Sequence, residues 1–317
     1  MAYNSPSELL ELGDDDSSYY RWVHGRALNS LNPRYMLPVD ADAIKRSEFH
    51  HRMLQFLFNG KNYVGPVKEV LQPSQQRRVL DLGTGGGFWA IDMADEFPRA
   101  EVIGVDLAPI QPRSVPPNCT FELCDLDQWN LPYPDNHFDL IHARSMHTGI
   151  HNYPRLLHEI GRLLRPGGLV ILIEPDLIPI VDGKPAPQLT DTSSSQGWLA
   201  FWDTYRACLV QQGIDVTVPS RLPELLAATN IFQHVVTQDG NIPIGFYPPD
   251  QLSLTVGQFA WMDYDLLIPA TKPLFLTAGL PESKVKRLIK DAHHDLYYPQ
   301  LHCSSLLHIV HAFKRQP

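Results

Sequence analysis

Arg78-Val79-Leu80-Asp81-Leu82-Gly83-Thr84-Gly85-Gly86-Gly87-Phe88-Trp89, followed by Val102-Ile103-Gly104-Val105-Asp106, decides how this chain folds. A short apolar run ends in an acidic residue and then in alternating glycines, the pattern of a buried strand turning into a helix. Gly83, Gly85 and Gly87 remove the side chains that would keep a ligand away from the backbone of that turn. Nineteen residues past Gly87 a second apolar run ends in Asp106. An open α/β sheet places a carboxylate there, able to hold both hydroxyls of a ribose. The stretch therefore predicts a site for an adenosine-containing cofactor.

The spacing G-x-G-x-G differs from the G-x-G-x-x-G of a dinucleotide site, which is tuned to a pyrophosphate at a helix N-terminus. Asp81, two residues before the first glycine, would repel a pyrophosphate and suits the ammonium group of a methionine moiety. No Gly-Lys-Ser/Thr follows, which removes a nucleoside-triphosphate P-loop. The pattern resembles motif I of class I methyltransferases that use S-adenosylmethionine (SAM), and Asp106 matches their second motif.

Composition bounds the rest. The 317 residues can hold one α/β domain with a sizeable extra element. A net charge of −9 disfavours a nucleic-acid partner, which wants a basic stripe. The four cysteines form no C-x-x-C, so neither zinc nor a disulfide framework is indicated. No apolar run approaches a membrane span and no secretory signal is visible, so a cytoplasmic enzyme is expected, with the nucleus as the alternative for a regulator.

Along the chain, residues 1–18 read as an acidic, disordered tail and 19–70 as an N-terminal helical cover. Residues 71–317 read as the cofactor-binding domain, with cap elements at about 180–230 and 250–300. Candidate strands are Arg78–Leu82, Glu101–Asp106, Thr120–Leu123, Phe138–Ala143, Leu169–Glu174, a run over 232–238 and Ser304–Phe313. Strands alternating with helices predict a mostly parallel sheet covered on both faces.

With these segments in place, the chain resembles the fungal group of SAM-dependent methyltransferases typified by the global regulator of secondary metabolism. The resemblance rests on Ala90–Pro98, Glu101–Pro112, Val115-Pro116-Pro117-Asn118-Cys119 and Phe138–Arg144. Tyr35-Met36-Leu37-Pro38-Val39-Asp40 with Arg46 and His51, and Pro243-Ile244-Gly245 before Tyr247-Pro248, add to it. Gly86 stands where the group usually has threonine, Ala41 and Ala43 where it has acidic residues, and Ser47 where it has leucine.

The resemblance implies an α/β, Rossmann-like seven-stranded methyltransferase sheet with the last strand antiparallel. By the same resemblance, Asp81, Gly83 and Gly85 would line the methionine part of SAM, with Thr84 and Gly87 in the same turn. Asp106 and Leu107 would hold and flank ribose and adenine, and Asp125 with Leu126 would meet the adenine amino group. Ala143 and Arg144 would contribute backbone near the ammonium, and Arg46 and His51 would close the pocket from the N-terminal cover.

Methyl transfer from a sulfonium is an in-line displacement whose rate owes much to alignment, and it requires no metal. A phenolic acceptor, with a pKa of about 10, gains nucleophilicity if a base removes its proton. Candidate bases belong at the carboxyl ends of the strands: His147 and His151 after the fourth core strand, and Glu174 at the end of the fifth. Trp198, Phe201, Trp202, Phe259, Trp261 and Tyr264 suit a flat aromatic acceptor. The expected partner is thus a small aromatic molecule, most readily a phenol or fungal metabolite undergoing O-methylation, rather than nucleic acid or membrane. A regulatory protein methyltransferase, or a SAM-binding component of a regulatory complex, is the alternative. Oligomeric state is not legible.

Overall fold

The computed structural model describes residues 16–72, 76–128, 130–189 and 196–316. Its N-terminal part comprises β1 (Tyr20–Val23), β2 (Arg26–Asn29), α1 (Ala41–Leu57) and α2 (Val67–Val70). There follow β3 (Arg77–Leu82), α3 (Phe88–Glu96), β4 (Ala100–Asp106), β5 (Cys119–Leu123), β6 (Phe138–Arg144), α4 (Tyr153–Leu163) and β7 (Leu164–Pro175). The remainder is β8 (Ile180–Val181), β9 (Lys184–Pro185), α5 (Gln196–Gln211), α6 (Val218–Ala228), β10 (Phe232–Ile244), α7 (Gln251–Ala270), α8 (Lys272–Thr277), α9 (Glu282–Tyr297) and β11 (Cys303–Lys314).

The apolar runs read as strands are buried on both sides, as a parallel sheet demands. Side chains alternate across it: Val79, Ile171 and Ile309 join the core on one face, while Leu80, Leu172 and Val310 join the core on the other. The order is β5-β4-β3-β6-β7-β11, with β10 on the outer side of β11. β3, β4, β5, β6 and β7 run parallel. β11 is antiparallel to both β7 and β10, so the expected seven-stranded sheet with its reversed last strand is present. The short β8–β9 hairpin pairs with the start of β11 and brings the sheet to nine strands.

Three expectations need correction. The N-terminal cover opens with a hairpin, not a helix: β1 and β2 pair antiparallel around His24-Gly25, both at positive φ (50° and 80°) as a tight hairpin turn requires. Arg26 then holds Asp40 bidentately (2.5 and 2.8 Å), fixing the hairpin to the residue that caps α1. Secondly, α6 is no cap. Its Leu222 and Leu226 are buried with Leu156 and Ile160 of α4, so it belongs to the helical layer over the sheet. Thirdly, of the tail, Asp16–Ser18 enter a short 3-10 turn whose Asp16 accepts from Arg113 at 2.9 Å; residues 1–15 lie outside the described residues, as do 190–195 of the expected lid loop.

The cap helices share the core of one sheet face rather than forming a separate unit. Met53 of α1, Phe201 of α5, Phe275 of α8 and Leu288 of α9 are buried in the same apolar cluster as Trp89 and Met93 of α3. Within it, Trp198, Phe201, Trp202, Tyr205, Tyr264 and Phe275 meet edge to face, with ring centroids 5.5–6.5 Å apart.

Candidate active site

The β3–α3 turn is built around three left-handed glycines, Gly83, Gly85 and Gly87. Gly83 has φ 66°, and a Cβ there would stand 1.9 Å from Sδ of Met146. Gly87, at φ 80°, caps α3 and would drive a Cβ to 2.4 Å from the Phe121 ring. Side chains are thus excluded both by backbone conformation and by space. Between them the Gly85 N–H donates to Oδ2 of Asp106 (2.8 Å), and the Leu107 N–H donates to Oδ1 (2.7 Å). These two bonds aim the carboxylate at the end of β4. Burial is the larger effect on its acidity and pushes its pKa up to about 6.

Above this turn lies a cleft of about 1030 Å³, counting its open mouth. That is the scale of a small-molecule site. Its floor is Gly83, Thr84, Gly85, Asp106 and Leu107. One wall carries Asp125 and Leu126, and the other Arg144, Ser145 and Met146. The roof comes from the N-terminal cover: Tyr35, Pro38, Val39, and Ala43, Arg46, Ser47 and His50 on one face of α1. Asn32 reaches Asp125 (3.3 Å), so the cover also touches the wall beyond Asp106.

The sequence-predicted residues divide accordingly. Arg46, Gly83, Thr84, Gly85, Asp106, Leu107, Asp125, Leu126 and Arg144 come together around the cleft. Asp81, Gly87, Ala143 and His51 are not part of its lining. Asp81 is buried, accepting from Thr84 Oγ1 and His142 Nδ1 (both 2.7 Å), so it braces the turn from behind rather than facing a ligand. His51 lies one residue beyond the lining helix face. Successive helical residues point about 100° apart, so His50 faces the cleft while His51 turns toward α3.

None of the three expected bases lines the cleft. His147 and Glu174 are fully buried against each other, with Nδ1 donating to Oε2 at 2.8 Å. Glu174 also accepts from the Met146 and His147 N–H groups and the Tyr153 hydroxyl (3.0, 3.3 and 3.0 Å). It is the anchor of the loop after β6, with every oxygen engaged. His151 donates from Nδ1 and from its backbone to Asp127 (2.6 and 2.9 Å), a bond that orders the loop ahead of α4. The aromatic residues expected around an acceptor, Trp198, Phe201, Trp202, Phe259, Trp261 and Tyr264, are likewise absent from the lining.

Sequence reading passed over His50, Ser145 and Asp263. The one available signal was helical: Ala43, Arg46, Ser47 and His50 fall at i, i+3, i+4 and i+7 on α1. Asp263, on α7, is buried and accepts from His50 Nδ1 (2.7 Å) and Arg46 Nη1 (3.3 Å). A separation of more than two hundred residues hid that partnership. No group of three or more His, Cys, Asp or Glu residues suited to a metal ion occurs among the described residues. No helix among them is long and apolar enough to cross a membrane.

A methyltransferase-domain family matches residues 47–230, more than half of the chain and the whole of the glycine turn and its carboxylate. The chain belongs to that family. Among curated proteins it is 31% identical over 299 residues to the secondary metabolism regulator laeA of Coprinopsis cinerea, covering 89% of this chain and 72% of that one. It is 34% identical over 158 residues to the methyltransferase pytC of Aspergillus terreus, covering 49% of this chain and 46% of that one. Among solved structures it resembles phosphoethanolamine N-methyltransferase 2 of Haemonchus contortus in complex with S-adenosylmethionine. That match has a TM-score of 0.46 and 18% identity, over 86% of this chain and 57% of that one.

Proposed function

We propose that this methyltransferase uses SAM to methylate a hydroxyl group of a small acceptor, a phenol being the expected class. One observation carries the cofactor assignment. Asp106 is a half-buried carboxylate fixed at the cleft floor by two backbone N–H groups, beside a glycine turn with no side chains in the way. It fits the paired hydroxyls of a ribose, and Gly83 and Gly85 leave room for the methionine chain. SAM would supply an electrophilic methyl group on a sulfonium. The chain's part is to hold it, align the acceptor and keep water out.

Support for a small acceptor comes from the roof. α1 and the segment ahead of it close the cleft from above, leaving a recess bordered by Tyr35, Pro38, Val39 and Ile150. An apolar recess of this kind suits a compact ring better than a protein segment. The aromatic cluster of the cap does not support the choice, because those rings fill the core. The test is calorimetry with SAM, followed by mass spectrometry of phenols incubated with chain and cofactor. Replacing Asp106 by alanine removes a charge-assisted acceptor of two hydroxyls, each bond being worth roughly 1.5–3 kcal/mol, so affinity should fall at least tenfold. Unchanged affinity would remove the assignment.

Similarity to a secondary metabolism regulator over most of the chain supports a second reading, methylation of a protein within a regulatory assembly. Methyl incorporation into protein rather than into small phenols would decide for it.

A further inference from the structure

Resting on the proposed hydroxyl acceptor, we propose that His50 is the general base of the reaction and that Asp263 holds it in the required tautomer. Asp263, a carboxylate, can only accept, so the Nδ1 it faces at 2.7 Å carries the proton. In the neutral imidazole, the form that acts as a base, Nε2 is then the bare nitrogen, and it faces Ser145 Oγ at 3.2 Å. Both His50 and Ser145 line the cleft, next to Gly83 and Met146. The base is oriented by a third group and presents its free lone pair to a hydroxyl, the arrangement that general-base catalysis needs. Ser145 is held at φ 54°, an uncommon conformation for a residue other than glycine, and its N–H is fixed to the Ile173 carbonyl (2.8 Å). Its hydroxyl occupies the position an acceptor hydroxyl would take, or would pass the acceptor's proton to Nε2.

The arrangement does not suit Ser145 as an acylated nucleophile. The N–H groups that follow it, of Met146 and His147, are both spent on Glu174, so no pair is left to hold an oxyanion. As a base, His50 balances the displacement. The acceptor proton passes to Nε2 as the oxygen forms its bond to the methyl carbon, and the carbon–sulfur bond breaks with its electrons going to sulfur. The imidazolium so formed lies against the Asp263 carboxylate and returns its proton to solvent. Against the burial that raises the pKa of Asp263, His50 and then Arg46, at 3.3 Å from the same carboxylate, hold it below the ordinary value.

The experiment uses the full chain with His50→Ala, His50→Gln and Asp263→Asn, each checked for folding by circular dichroism. His50→Gln keeps a polar partner for Asp263 and no titratable nitrogen. The first readout is the visible spectrum of 4-nitrophenol bound with S-adenosylhomocysteine, buffered below the phenol's own pKa. The wild type is expected to hold it as phenolate and both His50 variants as phenol. The second is the single-turnover methylation of 2-naphthol at saturating SAM. The His50 variants should lose roughly 10²–10⁴-fold while SAM affinity stays within about threefold, and the loss should shrink with 4-nitrophenol. Asp263→Asn, acting through His50, should lose the phenolate spectrum as well as the rate. Variants that methylate 2-naphthol within about fivefold of the wild type would overturn the base. So would a loss that merely follows weakened SAM binding. If the wild type binds SAM and methylates neither phenol, the hydroxyl-acceptor reading fails and takes the base with it.

Discussion

Arg144 Nη1 donates to Nδ1 of His51 across 3.1 Å, and that bond fixes the imidazole's tautomer. A guanidinium has no acceptor to offer, so Nδ1 must be bare, and Nε2 carries the proton it donates to Asp92 at 2.9 Å. A neutral His51 thereby ties the end of β6 to α3 beneath the cleft. Burial is the main cause that lowers its pKa to about 4.

This has a consequence for acid stability. The unfolded chain takes up a proton on His51 near pH 6.5 and the folded one only near 4. The group's contribution is therefore complete above pH 6.5 and is lost as the pH falls between these values, by up to about 3 kcal/mol. Denaturant titrations of the wild type and His51→Gln check it, since other groups cancel in the difference. The wild type should lose more stability across that window, and parallel curves would refute the assignment.

Asp106 acts in the opposite sense. Its pKa is raised above 3.8, so keeping it ionised costs stability as the pH rises from 3.8 through about 6. Only the carboxylate can accept from both ribose hydroxyls while holding Gly85 and Leu107. SAM affinity should accordingly be flat near neutrality and fall about tenfold per unit below pH 6. Calorimetry across that range reads it directly, and affinity constant to pH about 5 would argue that Asp106 does not meet the ligand.

Glu174 should behave as a structural residue rather than a catalytic one. Glutamine there sets an NH₂ against backbone N–H donors and strips His147 of its charged partner. The expected loss is about 3–5 kcal/mol, as for other broken buried pairs. Urea denaturation of Glu174→Gln gives the number. A variant of native stability with abolished methylation would reverse the assignment.

Gly83→Ala tests the turn. The left-handed backbone should cost roughly 1–2 kcal/mol, and the new methyl would push the Met146 side chain into the cleft. SAM affinity should fall. Adding Met146→Ala should restore much of the affinity but none of the backbone cost, which separates the two effects by calorimetry and melting. Full affinity in the single variant would place the cofactor away from this turn.

Much of this molecule is visible in one dimension. The strand–turn–helix at Arg78–Trp89 and the carboxylate at Asp106 are local signals, written in period and glycine. Tyr20–Asn29 reads in sequence as part of a helical cover, and its pairing as a hairpin emerges only in the fold.

The chain's own order of residues thus determined the sheet, the glycine turn and the carboxylate facing it, because each depends on neighbours within a strand–helix–strand unit. Only the tertiary structure decided which ionisable groups look into the cleft. A helix turns about 100° per residue, so one step separates His50, facing the cleft, from His51, facing Asp92. The aromatic residues of the cap went to the core because edge-to-face packing buries them better than a solvent-facing wall would. And Asp263 reaches His50 only because α7 lies along α1, a contact between segments more than two hundred residues apart that no local pattern encodes.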